Sequence, residues 1–382
     1  NTTGATNVAI GINALVANTT ASNNTAVGSF ALTANTTGTI NTALGRQALL
    51  NNTTGTDNTA VSYSLVSNTT GSGNTAVGKS ALNANTTGTS NVAVGAKALD
   101  ANTTASQNTA VGYNTLTATT TGAANTAVGF EALGFNSTAA NNTAIGWRAL
   151  YVNTTGAALT AVGANAGKAV TNSQGSTCIG FDSATGLTSG NNNVFVGHKA
   201  GTHVVPTTTG AQNCIVGAYS YCTTAGGSYA NILGYAIGGA AGYTTVGQSG
   251  SDIRTAHGSA SWAPVSDQRF KKDITDATAG LSFINALRPR TYNYRTLSEL
   301  PETFNAYKEG STEVFKNTKT NHGFIAQEVK EAIDADEGIK NGFEMWGQRE
   351  DGAQEVAESS LIPILVKAIQ EQSALITALT DR

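Results

Sequence analysis

A serine and a lysine that could act as nucleophile and base lie close together in the last third of the chain. Ser266 opens the run Ser-Asp-Gln-Arg-Phe-Lys, and Lys271 ends it five residues later. A serine hydroxyl is a poor nucleophile at neutral pH and needs a base to accept its proton. A lysine amine serves as that base only when neutral, which requires burial or neighbouring positive charge to lower its pKa. Arg269 and Lys272 could supply that charge, but the spacing alone does not establish a dyad, so the flanking sequence has to decide.

Two further motifs follow this pair in order. They are Leu287-Arg288-Pro289-Arg290-Thr291-Tyr292 and His322-Gly323-Phe324-Ile325-Ala326-Gln327-Glu328-Val329. With the run from Ser266 to Ile274, they resemble the intramolecular chaperone domain of phage tailspikes and tail fibres, the S74-type self-cleaving peptidase. The same domain also occurs in a membrane-bound eukaryotic transcription factor. The resemblance covers Val265 to Arg382.

The resemblance implies a self-cleaving endopeptidase that acts on its own chain only. Ser266 and Lys271 would be the catalytic dyad, and Ser266 would attack the carbonyl before it, splitting the Val265–Ser266 bond. Hydrolysis of the resulting ester would complete the cut. Cleavage on the far side of Ser266 is the alternative.

Five other residues belong to the motifs as supporting positions. Asp267 and Arg269 are expected to orient the loop through salt bridges, without a direct part in the chemistry. Gln327 and Glu328 are the polar residues of the last motif. His322 is either a structural histidine or a hydrogen-bonding partner near the dyad.

The end of the chain has helical periodicity. Residues 323–334 predict a strand followed by a helix, and Ser359 or Ser360 is a candidate cap for a final helix that tolerates Pro363 in its first turn. Three-four spacing then predicts a short coiled-coil seam, formed by Ile362, Leu365, Ile369, Gln372, Ile376 and Leu379.

The first part of the chain repeats one phrase, Asn-Thr-Ala-Val-Gly or a near copy. The steps are 17 residues with one step of 16, and the copies begin at Asn7, Asn24, Asn41, Asn58, Asn74, Asn91, Asn108, Asn125 and Asn142. A fixed short period with β-branched residues predicts a chain that winds into stacked coils.

Two apolar columns run through these coils. The first contains Ile10, Val27, Leu44, Val61, Val77, Val94, Val111, Val128, Ile145 and Val162; the second contains Leu15, Leu32, Leu49, Leu65, Leu82, Leu99, Leu116, Leu133 and Leu150. Each coil is therefore predicted to hold two short strands joined by tight corners. The short coil lacks one residue between Val61 and Leu65, and we expect that loss to sit in a corner, so that both columns stay in register.

The corners have distinct turn chemistry. Glycines such as Gly28 and Gly45 after the first column predict positive φ angles. The Asn-Thr-Thr-Gly corners, as at Asn35–Gly38 and Asn85–Gly88, predict Asx turns and stacked amide ladders.

The repeated phrase also resembles the head repeats of trimeric autotransporter adhesins, although the period here is longer. That resemblance implies a parallel β-roll in a homotrimer. About 15 coils at the strand spacing of a sheet would span roughly 70 Å. A thin roll has a small core, and packing three rolls around one axis would compensate for it.

From Ala164 the phrase loosens, and residues 164–250 are the expected place for receptor binding. Aromatic residues on longer loops suit saccharide or surface contact. The tyrosines of this part are Tyr219, Tyr221, Tyr229, Tyr235 and Tyr243. Packing inside the trimer is the alternative role for them.

Composition narrows the classes of function. The net charge of −3 argues against nucleic-acid binding. The carboxylates Asp182 and Asp252 are far apart, which argues against a polysaccharide-cleaving spike. The three cysteines are odd in number and show no metal-ligand spacing with the histidines. Cys178 takes the alanine position of its coil, so a buried free thiol is expected there. No cofactor, metal or membrane insertion is expected.

These observations predict a mainly β protein with four parts. Residues 1–163 would be a regular β-solenoid, 164–250 its irregular continuation, 251–265 a linker and 266–382 a small α+β chaperone domain ending in a short coiled-coil helix. The expected function is the distal part of a virion tail fibre or spike: a homotrimer that binds a host cell-surface receptor and joins upstream tail or fibre proteins. A bacterial trimeric surface adhesin at the cell surface is the alternative. Asn1 lies inside a repeat, so we expect the chain to be part of something longer.

Overall fold

The computed structural model describes residues 2–249, 251–259, 263–264, 268, 271–340 and 343–381. The chain divides into two compact units, residues 1–266 and 267–382, here called the shaft and the C-terminal module.

The shaft is a β-solenoid with short strands. Its strands are β1 Val8–Ile10, β2 Thr25–Val27, β3 Thr42–Leu44, β4 Thr59–Val61, β5 Thr75–Val77, β6 Val92–Val94, β7 Thr109–Val111, β8 Thr126–Val128, β9 Thr143–Ile145, β10 Thr160–Val162, β11 Thr177–Ile179, β12 Val194–Val196, β13 Cys214–Val216, β14 Tyr221–Cys222, β15 Asn231–Tyr235, β16 Gly238–Gly239, β17 Tyr243–Gln248, β18 Ser251–Ala256 and β19 Ala263–Pro264. The strands β1–β13, β15 and β17 form one parallel stack in which each pairs with the next, so the predicted solenoid is confirmed.

From β2 to β13, each strand turns its middle residue into the coil and its flanking residues outward. Ala26 pairs with Ala43 in register, and both are completely buried. The first apolar column lies on the opposite face because side chains alternate along a strand. Leu44 is therefore 49 % exposed and Ile145 40 % exposed in the single chain.

The second apolar column is buried but does not form a strand. Leu32 and its equivalents have φ angles between 49° and 53°, the left-handed region, so each regular coil holds one strand where two were predicted. Later coils add a second short strand, β14 and then β16, which pair with each other. Hydrogen bonds to the next coil support this conformation, as when Leu32 N–H donates to the Ala48 carbonyl at 3.0 Å. The predicted positive φ of the corner glycines is confirmed, with 135° at Gly28.

Two ladders of buried asparagines run beside the leucines. The amides of Asn24 and Asn35 both donate to the carbonyl of Gly38 at 2.9 Å. Between coils, Asn52 Nδ2 donates to Asn35 Oδ1 at 2.9 Å, and Asn41 N–H donates to Asn24 Oδ1 at 2.9 Å. The amide ladder predicted at the Asn-Thr-Thr-Gly corner is confirmed, and the Asn24 ladder is a second one that the sequence reasoning missed.

The regular period persists further than expected. Steps of 17 residues continue to Val194, and the first long step, of 20 residues, leads to Cys214. Residues 251–256, expected in a linker, instead form β18 antiparallel to β17. This strand pairs with the last edge of the parallel stack, which would otherwise present unpaired backbone groups.

The described residues of the C-terminal module form three α-helices and two antiparallel strand pairs, β20 with β21 and β22 with β23. Its elements are α1 Leu281–Ala286, β20 Arg290–Tyr292, β21 Asn321–Gly323, α2 Ala326–Ala335, β22 Trp346–Gln348, β23 Gln354–Val356 and α3 Ile362–Thr380. Phe283 of α1, Ile333 of α2 and Ile364 of α3 meet in one buried core with Met345. The predicted strand-then-helix at 323–334 and the final helix are confirmed.

Candidate functional site

The predicted catalytic centre is only partly within the described residues. Val265, Ser266, Asp267 and Arg269 lie outside them, so the proposed cleavage bond and dyad geometry stay predictions. Lys271 is described: its side chain is exposed in the single chain, and its N–H donates to the Gln268 carbonyl at 3.0 Å.

The second and third motifs are joined by strand pairing. Strand β20 carries the second motif and β21 the start of the third, and Thr291 lies opposite His322. The Thr291 hydroxyl and His322 Nδ1 are 3.2 Å apart at an exposed position. His322 thus contributes a cross-strand hydrogen bond, and its role near the dyad stays a prediction because Ser266 lies outside the described residues.

An ion pair reinforces this junction. Glu328 lies in the first turn of α2, and its Oε2 accepts a hydrogen bond from Arg290 Nε at 2.9 Å, with Arg288 at 3.9 Å from Oε1. The hydrogen bond from Arg290 and its positive charge lower the pKa of Glu328, and the same contact raises the pKa of Arg290. Sequence reasoning named Glu328 as supporting but missed Arg290, whose only signal was its place in the second motif.

The remaining polar residues of the junction have different surroundings. Gln327 is exposed on α2, and its role stays a prediction. A hydrogen bond to Tyr294 raises the pKa of the Tyr292 phenol, and the two rings meet edge to face at 5.5 Å. The junction is therefore an ordered polar surface that holds β20, β21 and α2 together.

Helix α3 packs on α1 through one face. Glu371 Oε2 accepts the N–H of Leu281, the first residue of α1, at 2.8 Å, and Ile364 and Ala368 of the same face are buried. Pro363 occupies the first turn as predicted, but neither Ser359 nor Ser360 caps the helix, because a 3-10 turn over Glu358–Leu361 precedes it.

The predicted coiled-coil seam lies on the other face of α3. All six of its residues are exposed in the single chain, including Ile369 at 63 % and Leu379 at 70 %. A row of exposed side chains that is apolar at every position except Gln372 is typical of a helix that associates with other copies.

In the later coils of the shaft, aromatic rings and histidines form a surface cluster, called the aromatic cluster. Its ring contacts run from Phe181 through His198 at 5.5 Å, then to Tyr219 at 4.7 Å and to Tyr235 at 5.8 Å. His203, from the 20-residue coil, contacts Tyr219 at 4.8 Å. Three of the five predicted tyrosines thus come together here, since His203 also contacts Tyr221. Tyr229 is exposed and takes no part in these ring contacts. The guanidinium of Arg254 lies over the ring of Tyr243.

The cysteines and the possible metal ligands of the described residues form no further site. Cys178 is a buried free thiol, as predicted, and burial raises its pKa to about 12. Within the described ranges, no three His, Cys, Asp or Glu side chains are grouped to hold a metal ion. Among the helices that the structure describes, none is long and apolar enough to cross a membrane.

Comparison with known proteins adds a family to this geometry. Residues 266–338 match the family model Peptidase_S74, described as the chaperone of endosialidase. All three motifs fall inside the matched stretch, so the resemblance drawn from them is confirmed: a β-solenoid shaft precedes a chaperone-of-endosialidase domain. Neither a curated protein nor a solved structure matches the chain.

The matched stretch ends before β22, β23 and α3. Packing nevertheless joins these elements to it, because Met345, Leu361 and Ile364 share one core with Phe283 and Val329. The folded module is therefore larger than the matched stretch.

Proposed function

We propose that the chain is the distal part of a virion tail fibre or spike, in which three copies form a shaft that contacts a host cell surface. The C-terminal module brings the copies together and then cuts itself off. The observation that carries this proposal is a chaperone-of-endosialidase domain directly following a β-solenoid in one chain.

Association of three copies is supported by apolar surface that a single chain leaves exposed. The outer face of the strands presents a ladder of Val, Ile and Leu side chains along the shaft, and α3 presents its seam. Burial of apolar area is the main favourable term in association. Parallel strand pairing forms slowly and is prone to aggregation, so a C-terminal trimeriser would set the register before the shaft winds.

The cleavage step follows from the residue types at the start of the module. Lys271 accepts the proton of the Ser266 hydroxyl, and Oγ attacks the carbonyl carbon of Val265. Lys271 then returns the proton to the Ser266 nitrogen, which leaves as an amine while the peptide bond is replaced by an ester. Water hydrolyses the ester and gives the Val265 carboxylate and the free Ser266 hydroxyl. Lys271 is exposed in the single chain, and a lysine needs desolvation to be neutral, so assembly would create the active base.

Adhesion is assigned to the shaft. The aromatic cluster offers ring faces on an otherwise Thr- and Asn-rich surface, and such faces suit a receptor that includes a saccharide. Cleavage would leave this surface on the virion and remove only the module.

Mass determination of the purified full-length product tests the cleavage proposal. We expect wild type to yield a chain that ends at Val265 and a fragment that begins at Ser266. Ser266→Ala should stay intact, and Lys271→Ala should slow cleavage at least about a hundredfold. The control Lys319→Ala, which changes an exposed lysine outside the three motifs, should be cut normally.

Other outcomes have definite meanings. Processing of Ser266→Ala or Lys271→Ala at the wild-type rate would show that the dyad is assigned wrongly. A fragment beginning at Asp267 would place the cut on the far side of Ser266. An intact wild-type chain that still trimerises would show that the module is a trimeriser without peptidase activity.

A further inference from the structure

The short coil of the shaft lacks one particular residue. In the regular coils, the corner glycine is followed by two residues before the buried Ala-Leu pair, as in Gly45, Arg46, Gln47. In the short coil Ser62 takes the glycine position and Tyr63 the next one, because Tyr63 accepts the N–H of Ser80 at 2.7 Å. Ser64 then takes the alanine position, since its carbonyl accepts the N–H of Leu49. The residue equivalent to Gln47 is therefore the one that is missing.

This loss interrupts one hydrogen-bond ladder while the rest of the coil stays in register. The carbonyl of Ser29 accepts the N–H of Gln47 at 2.9 Å, and the carbonyl of Lys79 accepts the N–H of Lys97 at 2.9 Å. Arg46 holds the equivalent position between them, and among the described residues no N–H donates to its carbonyl. Strand pairing of β4 with β5 is unchanged, and Leu65 is completely buried.

A surface recess occupies the place of the missing residue. This recess, which we call the notch, has a volume of about 660 Å³. It is lined by Gly45, Arg46, Gln47, Ser62, Tyr63 and Lys79. Arg46, Ser62 and Lys79 are exposed, and Tyr63 is half-buried.

The charges at the notch are unusual for this shaft. Residues 1–150 carry only seven charged side chains, and two of the four cations line this recess. Elsewhere the cations have acidic neighbours: Arg148 Nε is 2.7 Å from Glu131 Oε2, and Lys97 lowers the pKa of Asp100 against the larger effect of burial. Among the described residues, neither Arg46 nor Lys79 forms an ion pair.

We propose that the notch binds an acidic saccharide, a sugar unit that carries a carboxylate or a phosphate. Arg46 and Lys79 would hold the acidic group, the ring of Tyr63 would contact the face of the sugar, and a sugar hydroxyl would donate to the unpaired Arg46 carbonyl. Saccharides combine hydroxyl donors, a ring face and an acidic group, which is the set of complements this recess presents. The biological source of the ligand, a host surface, rests on the proposed adhesive function, whereas the binding site itself does not.

Binding measurements on the assembled protein test the site. Calorimetry or fluorescence titration with an oligogalacturonate, its neutral methyl ester and a sugar phosphate should show binding of the acidic sugars only. The tighter of the two acids identifies which acidic group the notch prefers. The double variant Arg46→Gln/Lys79→Gln should weaken binding at least about tenfold, because a hydrogen bond to a charged group is lost at each position. Lys97→Gln, an exposed cation one coil away, should stay within about twofold of wild type.

A second variant fills the notch without removing its charges. Inserting an asparagine between Tyr63 and Ser64 restores a 17-residue coil, and asparagine tolerates the left-handed conformation of that position. We expect the shaft of this variant to fold normally and its binding of the acidic saccharide to be lost. Equal binding by this variant, equal binding of the neutral ester, or no binding of either acid would overturn the proposal. If the shaft attaches to host cells but binds no acidic sugar, only the proposal for the notch is wrong. If the shaft binds the acidic sugar but attaches to no host cells, only the proposed adhesive function is wrong.

Discussion

At the scale of single residues, the shaft depends on backbone conformations that most side chains avoid. A left-handed leucine costs about 1 to 2 kcal/mol, and the structure repeats it in coil after coil, as at Leu82 and Leu99. Complete burial of a leucine side chain contributes about 1.5 to 3 kcal/mol. Hydrogen bonds from every such N–H to the next coil add to that, so burial and pairing together offset the strain.

The corner glycines provide a direct test of how tightly the coils stack. A Cβ at Gly129, where φ is 133°, would lie 2.5 Å from the carbonyl oxygen of Gly146, whereas one at Gly73, where φ is 67°, would have Ser90 Oγ as its nearest contact at 3.7 Å. We expect Gly129→Ala to destabilise the shaft by more than about 3 kcal/mol, from strain and overpacking together. The matched control Gly73→Ala should cost about 1 to 2 kcal/mol, from strain alone. Guanidinium unfolding followed by circular dichroism measures both, and equal costs would contradict the stacking argument.

At the scale of elements, the C-terminal module is organised by the junction of β20, β21 and α2. Two sequence motifs separated by some thirty residues become neighbours there. The Arg290–Glu328 ion pair adds a pH-dependent contact at an exposed position.

The pH dependence has a defined sign. The pKa of Glu328 is lower in the folded module than its ordinary value, so its stabilisation is present above the unfolded pKa and is lost as pH falls through the folded pKa. We expect Glu328→Gln to lower the midpoint of thermal unfolding at pH 7, and we expect its difference from wild type to shrink as the pH falls through the folded pKa of Glu328. The helix signal at 222 nm reports the module, because the described helices all belong to it. Both variants should be made in the Ser266→Ala chain, so that the module stays attached to the shaft. The control is Glu344→Gln, because Glu344 is an exposed carboxylate with no described ion pair. A gap between wild type and Glu328→Gln that persists unchanged at low pH would mean that the ion pair is not its cause.

At the scale of the whole molecule, assembly and cleavage are proposed to be linked through α3. The seam is exposed in the single chain, while a different face of the helix is committed to α1. Copies of the chain can therefore associate through α3 without unpacking their own modules. Removal of the module after cutting would leave the shaft kinetically trapped.

Changing the seam tests that link. Ile369→Asp places a charge in the proposed coiled-coil interface. If the proposed trimer forms through the seam, light scattering should show monomers for this variant, and the proposed self-cleavage should be lost. Gln370→Asp, which adds the same charge beside the seam, should leave mass and cleavage unchanged. If Ile369→Asp stays trimeric and is cut normally, the seam is not the assembly surface.

The sequence by itself determined the period of the solenoid, the buried leucines, the glycine corners, the amide ladder and the three motifs of the module. These features are local: a 17-residue spacing, a turn-forming residue or a short motif is visible without knowing what it contacts. The register across the short coil could also be predicted, because a slip in a strand would have reversed the faces of every later side chain.

Only the tertiary structure decided which column is inside and which residues meet. Side chains alternate along a strand, so the Val and Ala of each repeated phrase face opposite ways. The small alanines lie inside because neighbouring segments of a coil approach too closely for a larger residue on every strand. Phe195 fits inside only where Gly201 faces it. The left-handed leucines, the second asparagine ladder and the Arg290–Glu328 contact likewise depend on partners 14 to 38 residues away. Such contacts arise from stacking and packing, so local sequence patterns do not reveal them.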